Sequence, residues 1–314
     1  MQRAPELLSY LQVRVDEKRG NGRYVLTGSH QSAVRAAIGQ SLAGRTAILQ
    51  LLPLSIAEMD GAGIAFDSFA DFAWHGGLPR VHDEAQRPSV AYANYFRTYV
   101  ERDVRQLLQL KDAALFEKFL RLLAGRAGQV LNLQSLGNDT GIDAKTVKHW
   151  LTVLEASFIV FTLLPWFENV GKRVIKSPKV YFTEPGLLVW LLGIDDPRQL
   201  VRDPLVGSVF ENLVIVEALK ARVHRGKRSN LYFHRDYRGL EIDLIIANGR
   251  ALSAIEIKSA ATLDTRFTEA FAVFEERVAP LVSKTIVYSG RETRSWRNGA
   301  QAVGFREVER LIAA

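Results

Sequence analysis

The segment RGLEIDLIIANGRALSAIEIKSA, residues 238–260, sets Glu241, Asp243, Glu256 and Lys258 among Leu, Ile and Ala that read as buried strand. A buried charge without a partner costs several kcal/mol, so these groups must pair with one another or with a ligand. Carboxylates on adjacent strands can share one hard cation, and Mg2+ accepts oxygen ligands at about 2.1 Å. That arrangement suits phosphodiester hydrolysis, in which a metal ion stabilises charge on the phosphate and helps ionise the attacking water. Asp243 and Glu256 are the expected metal ligands. Lys258 is placed to orient the water or neutralise the transition state. Glu211, on the polar side of the preceding helical stretch GSVFENLV, is the expected third ligand.

The elements that must position these side chains follow from local pattern. Asn248-Gly249 predicts a two-residue type I′ hairpin turn, because both of its central residues need positive φ. The register then sets Ala247 opposite Arg250, Asp243 opposite Ala254 and Glu241 opposite Glu256. Residues opposite one another, or two apart, share a face. Asp243, Glu256 and Lys258 therefore fall together, and Leu240, Ile242, Leu244, Ile246, Ile255 and Ile257 form an apolar surface on the other side. The alternative is a plain salt bridge in which Lys258 neutralises Glu256 or Asp243 at a sheet edge, leaving Glu241 and Glu211 exposed.

Around the hairpin the order reads as helix (LVGSVFENLVIVEALKAR), three strands, helix (FTEAFAVFEERV) and strand (KTIVYSG). Residues 130–184 have the order of a winged helix. A short helix LNLQSLGNDTG is followed by DAKTVKHWLTVLEAS, capped by Asp143, with Val147, Trp150, Leu151 and Leu154 inward and Lys145, Lys148 and His149 outward. Two strands then flank FENVGKR, whose Gly171, Lys172 and Arg173 form a basic wing. Lys145, Lys148, Lys172 and Arg173 are the expected nucleic-acid contacts; a helical packing module with solvated lysines is the alternative. Residues 58–128 read as mostly helical, with Tyr92, Tyr95, Phe96, Tyr99 and Val100 on one face as core. GRYVLTGS (22–29) and TAILQLLPLS (46–55) read as two buried parallel strands flanking a helix.

A chain of 314 residues is long for one core, so two or three units are expected. With no cysteine there is no disulfide, thiol nucleophile or Cys-ligated zinc or iron-sulfur site, and the six histidines show no metal-ligand spacing. Any metal must therefore sit on carboxylates. The net charge of +7 favours anionic partners. No apolar run is long enough to span a membrane and no signal peptide is evident, which predicts a cytoplasmic protein.

Glu211, Asp243 and Glu256-Ile257-Lys258 resemble the PD-(D/E)XK nuclease superfamily, whose core has the same element order. The chain as a whole is similar to a narrower group, the prokaryotic AAA-type ATPases with a C-terminal domain of unknown function. RYVLTGSHQ, SLAGR, LLPLSIAE, GGLPR, YFRTYVERDV, FENLVIVEALK, EIDLII and AIEIKSA carry that resemblance. It implies that Ser29 or Thr27 senses an ATP γ-phosphate and that Arg45 is a trans-acting arginine. The chain departs from the family in lacking G-x-x-x-x-G-K-[ST], and no hydrophobic strand ending in Asp-Glu precedes MQRAPELL. Without that loop, ATP binding by this chain alone is not expected.

The fold expected is α/β in three parts: a truncated P-loop ATPase core remnant (1–60), a helical and winged-helix middle (61–200), and a PD-(D/E)XK restriction-endonuclease-like domain (201–314). The expected function is the C-terminal portion of an AAA-type ATPase with a DNA-engaging, Mg2+-dependent nuclease-like domain. The alternatives are a non-catalytic module that binds nucleic acid or protein, and a regulatory fragment whose P-loop half lies upstream. The expected partners are DNA and either further copies of the chain or that upstream half.

Overall fold

Short polar side chains set where many of the helices begin. The computed structural model describes residues 7–17, 20–27, 42, 44–104, 108, 112–168 and 177–313. After α1 (Leu7–Glu17), Ser55 and Glu58 form a capping box that starts α2 (Ile56–Gly61), and Ser68 caps α3 (Phe69–His75). These side chains accept first-turn N–H groups that have no partner within the helix. Proline opens α4 (Pro79–Asp83) and α5 (Pro88–Tyr95), where its missing N–H removes no helical bond. A π-helix, Phe96–Val104, continues α5. Tyr92, Phe96 and Val100 are buried and Tyr95 and Tyr99 pack against them, as the sequence spacing predicts.

The middle of the chain holds α6 (Ala113–Ala124), α7 (Leu133–Thr140) and α8 (Ala144–Ala156), capped by Asp112, Asn132 and Asp143. Val147, Trp150, Leu151 and Leu154 are buried, whereas Lys145, Lys148 and His149 are exposed. Strands β1 (Val160–Leu163) and β2 (Lys179–Phe182) pair antiparallel, with Val160 opposite Phe182. Gly171, Lys172 and Arg173 lie outside the described residues. Helices α9 (Pro185–Leu191) and α10 (Pro197–Arg202) lead to the last unit.

There α11 (Val206–Val223) precedes β3 (Leu231–Arg235), β4 (Glu241–Asn248) and β5 (Ala251–Lys258). Then come α12 (Glu269–Arg277), β6 (Ser283–Tyr288), β7 (Arg294–Ser295), β8 (Gln301–Gly304) and α13 (Val308–Ala313). The six strands lie in the order β3-β4-β5-β6-β8-β7, parallel at β5–β6 and β6–β8 and antiparallel elsewhere. The α-β-β-β-α-β order is the one read from the sequence. Helix α11 is buried on nearly every side, not on one, because it packs against α3, α9 and β2 on one hand and β5 and α13 on the other.

Three expectations are corrected. The hairpin turns at Gly249-Arg250, not Asn248-Gly249, with Asn248 opposite Ala251 and Leu244 opposite Ile255. Gly249 alone takes positive φ, 65°, as a turn with Gly in its first central position requires, and Asn248 stays in the strand, bonded to the Asn230 side chain. The slip is two residues, so face assignments survive it.

The apolar surface is also divided. Tyr232 faces Ile245 and His234 faces Ile242, so β4 carries one residue too many at Asp243-Leu244. This bulge puts Leu240 and Ile242 with Ile245, Leu252 and Ala254 under α12, while Leu244, Ile246, Ile255 and Ile257 join the main core. Both sheet faces are thus packed.

Finally, residues 24–27 and 46–52 are not strands; Val25, Leu49 and Leu51 are largely exposed. A parallel strand exists only through neighbours that take its N–H and C=O groups, and none flanks these segments among the described residues. Ser29 and most of the helix expected between them lie outside the described residues.

Candidate active site

The bulge and the end of β5 bring three of the expected residues together. With the ladder ending at Leu244, the Asp243 carboxylate reaches across and accepts the Ile257 N–H at 2.8 Å. Lys258 Nζ stands 2.6 Å from Glu256 Oε2 and 3.7 Å from Asp243 Oδ2. The Glu256 side chain is 7% exposed, and its other oxygen, Oε1, is buried without a hydrogen-bond partner. Burial, reinforced by the Asp243 charge, pushes the Glu256 carboxyl up to about 8. Burial also works against the Lys258 charge, but Asp243 and Glu256 outweigh it and hold the ammonium above its ordinary value.

Glu211 is beside this set but engaged elsewhere. Its Oε1 accepts the Tyr181 hydroxyl at 2.6 Å and lies 3.0 Å from Lys179 Nζ. Burial and then Asp243 raise its pKa to about 7, with Lys179 acting in the opposite sense. Lys179 is 2% exposed and also reaches Glu241 Oε1 at 2.6 Å; burial disfavours its charge, yet Glu211, Asp243 and Glu241 raise its pKa. Glu241 therefore does not face Glu256 across the hairpin, and Arg235 stands 3.6 Å from its second oxygen. Gly128, at φ 77°, passes the Glu211 carboxylate so closely that a Cβ there would lie 3.4 Å from it.

Among the described residues no three His, Asp or Glu side chains converge to hold a metal ion together. Asp243 and Glu256 are a pair, and the unfilled Glu256 oxygen is the acceptor a cation would use. Mg2+, which often takes one or two carboxylates and keeps water on its remaining positions, fits such a pair.

Lys179, Tyr181 and Asn212 were missed in the sequence. Lys179 and Tyr181 alternate along SPKVYFT, which reads as an ordinary strand. Fully buried Asn212 bonds the Phe182 backbone twice, accepting its N–H at 2.7 Å and donating to its C=O at 2.9 Å. An Asn amid the apolar run FENLV was the one visible signal. Other motif residues serve the fold. Glu217 accepts the Ile56 N–H, and Lys220 donates to the Leu54 carbonyl and pairs with Glu217. Glu184 accepts from Tyr92 and Gly77, while Gly76, at φ 68°, lies where a Cβ would strike both Tyr92 and Glu184.

The remaining expected contacts are apart from this cluster. Lys145 and Lys148 are exposed on α8. Arg45 is paired with Asp16 at 2.6 and 3.0 Å, and Thr27 is exposed. Among the described residues no helix is long and apolar enough to cross a membrane.

Three family models match successive stretches of the chain. Residues 1–60 match an AAA domain, 66–198 a domain of unknown function (DUF8612), and 206–308 another domain of unknown function (DUF4143). The chain is thus AAA-ATPase-like over its first 60 residues, with two domains of unknown function after them. The chain is 32% identical over 292 residues to the uncharacterized proteins Mb2031c of Mycobacterium bovis and Rv2008c of Mycobacterium tuberculosis. The match covers 92% of this chain but 63% of each relative, so the chain spans under two thirds of their length. No solved structure matches it.

Proposed function

We propose that this chain is the C-terminal portion of an AAA-type ATPase whose sheet domain is a Mg2+-dependent, DNA-engaging module of the PD-(D/E)XK nuclease type. The observation that carries the reading is the Asp243–Glu256–Lys258 cluster with its buried, unpartnered Glu256 oxygen. Asp243 and Glu256 hold the cation, which when bound supplies charge stabilisation to a phosphodiester and acidifies water. Lys258 offers the adjacent positive charge to the scissile phosphate, and exposed Lys145 and Lys148, with Lys172 and Arg173, engage the DNA backbone. Plasmid and linear DNA incubated with the full chain and Mg2+ or Mn2+ should be cut, and Lys258→Ala should abolish cutting. Absent cleavage by wild type would leave at most a binding role. Lys145→Ala with Lys148→Ala should weaken DNA binding and lower its salt slope by about one per lysine.

The second reading is a non-catalytic docking domain, favoured by the 2.6 Å Lys258–Glu256 pair, which already supplies one cation. Calorimetry separates the two: under this reading no Mg2+ site is lost in Asp243→Ala. Thr27, Ser29 and Arg45 belong in either case to an ATPase core that needs a P-loop from outside this chain. The exposed strand-like segments around Val25 and Leu49 support that assignment. The chain alone should not hydrolyse ATP; a P-loop-bearing segment added in trans should restore hydrolysis that Arg45→Ala removes.

A further inference from the structure

The carboxylates at this end of the sheet fall into two sets that are filled differently. Asp243 and Glu256 share Lys258, which comes from their own hairpin and is 30% exposed. Glu211 and Glu241 share Lys179, which comes from β2, in the segment matched by the other domain of unknown function. Lys179 Nζ lies 3.0 and 2.6 Å from these two acids and 5.4 Å from the centre of the Phe233 ring. Tyr181 donates to the same Glu211 oxygen, Oε1, and Asn212 locks the strand that carries both residues. A cation at the position of Nζ would reach both carboxylates, and the ammonium already stands there.

We propose that Lys179 is a built-in cation that closes the Glu211–Glu241 half of the acidic cluster, so that the site accepts one divalent ion, at Asp243 and Glu256, and not two. The proposal rests on the function read above for Asp243 and Glu256. It makes Lys179 a positioning residue that sets metal stoichiometry, and it ties the ion site to correct docking of β2 on α11. Closing an acid pair with a fixed ammonium satisfies its charge without the reluctant dehydration a second Mg2+ would need.

The test is Mn2+ binding by the full chain, read by electron paramagnetic resonance of free Mn2+. Lys179→Met keeps the length of the side chain and removes its charge. It should bind one more equivalent of Mn2+ than wild type, and Glu241→Gln in that background should abolish the gain. An unchanged stoichiometry in a Lys179→Met protein with native circular dichroism overturns the proposal. Should that variant not fold, amine acetylation of the wild-type chain followed by mass spectrometry decides. Lys179 should react at least about tenfold more slowly than exposed Lys145 and Lys148, and equal reactivity overturns the proposal. The two readings fail separately. Wild type without a Mn2+ site sensitive to Asp243→Ala defeats the nuclease reading, whereas absence of a gain in Lys179→Met defeats only the role of Lys179.

Discussion

The two halves of the acidic cluster use the same chemical groups and end in different states. In the inner half every element is clamped: Lys179 is 2% exposed, Tyr181 adds a bond to Glu211, and Asn212 holds the strand. In the outer half the amine is 30% exposed and one Glu256 oxygen is buried with nothing to accept. Whether an acid-amine pair is structural or free to take a ligand is decided by how its groups are buried and bonded, and not by residue type.

The sharpest way to break that contrast is to remove the inner amine. Lys179→Met should cost roughly 3–5 kcal/mol in urea unfolding without divalent ions, because it strands two half-buried carboxylates. Asn212→Leu is next. It leaves the Phe182 N–H and C=O unpaired, and a loss of roughly 2 kcal/mol is expected in the same assay.

The third prediction uses pH. Both acids have folded-state pKa values above the ordinary 4.5, so the folded chain holds their protons more tightly than the unfolded one. Their contribution to stability is fully present below about pH 4.5 and is lost as pH rises through about 7 for Glu211 and about 8 for Glu256. Urea midpoints taken from about pH 5 to pH 9 should flatten up to near neutrality in Glu211→Gln, and further into the alkaline range in Glu256→Gln. The smallest effect belongs to the outer amine. Lys258→Met should cost less than Lys179→Met, because the lost amine is 30% exposed and water can take its place beside Asp243 and Glu256, while abolishing any metal-dependent cleavage. A stability loss equal to that of Lys179→Met would erase the distinction between the halves.

The sequence pattern placed Asp243, Glu256 and Lys258 together even though the register it predicted was two residues off, because period-2 alternation survives an even slip. It put Glu211 beside that set but gave no sign of the partners that engage it. Its Oε1 is filled by Lys179 and Tyr181, residues of a strand read for its apolar content alone. The bulge at Asp243-Leu244 left no mark in the sequence either, since nothing there but a smooth apolar alternation was visible.

What the amino-acid order determined by itself lies within a few residues along the chain. Caps at Ser55, Ser68 and Asp143 start helices, α8 turns Val147 and Trp150 inward and Lys145 and Lys148 outward, and a glycine with positive φ closes the hairpin. These follow from hydrogen bonds and side-chain periods that need no distant partner. Tertiary structure alone decided the rest. The Lys179–Glu211 pair joins residues 32 apart in sequence, and the apolar runs around Val25 and Leu49, though strand-like in pattern, have no neighbouring strand among the described residues. A buried charge and a parallel strand are both defined by what lies across from them in space, which local pattern does not specify.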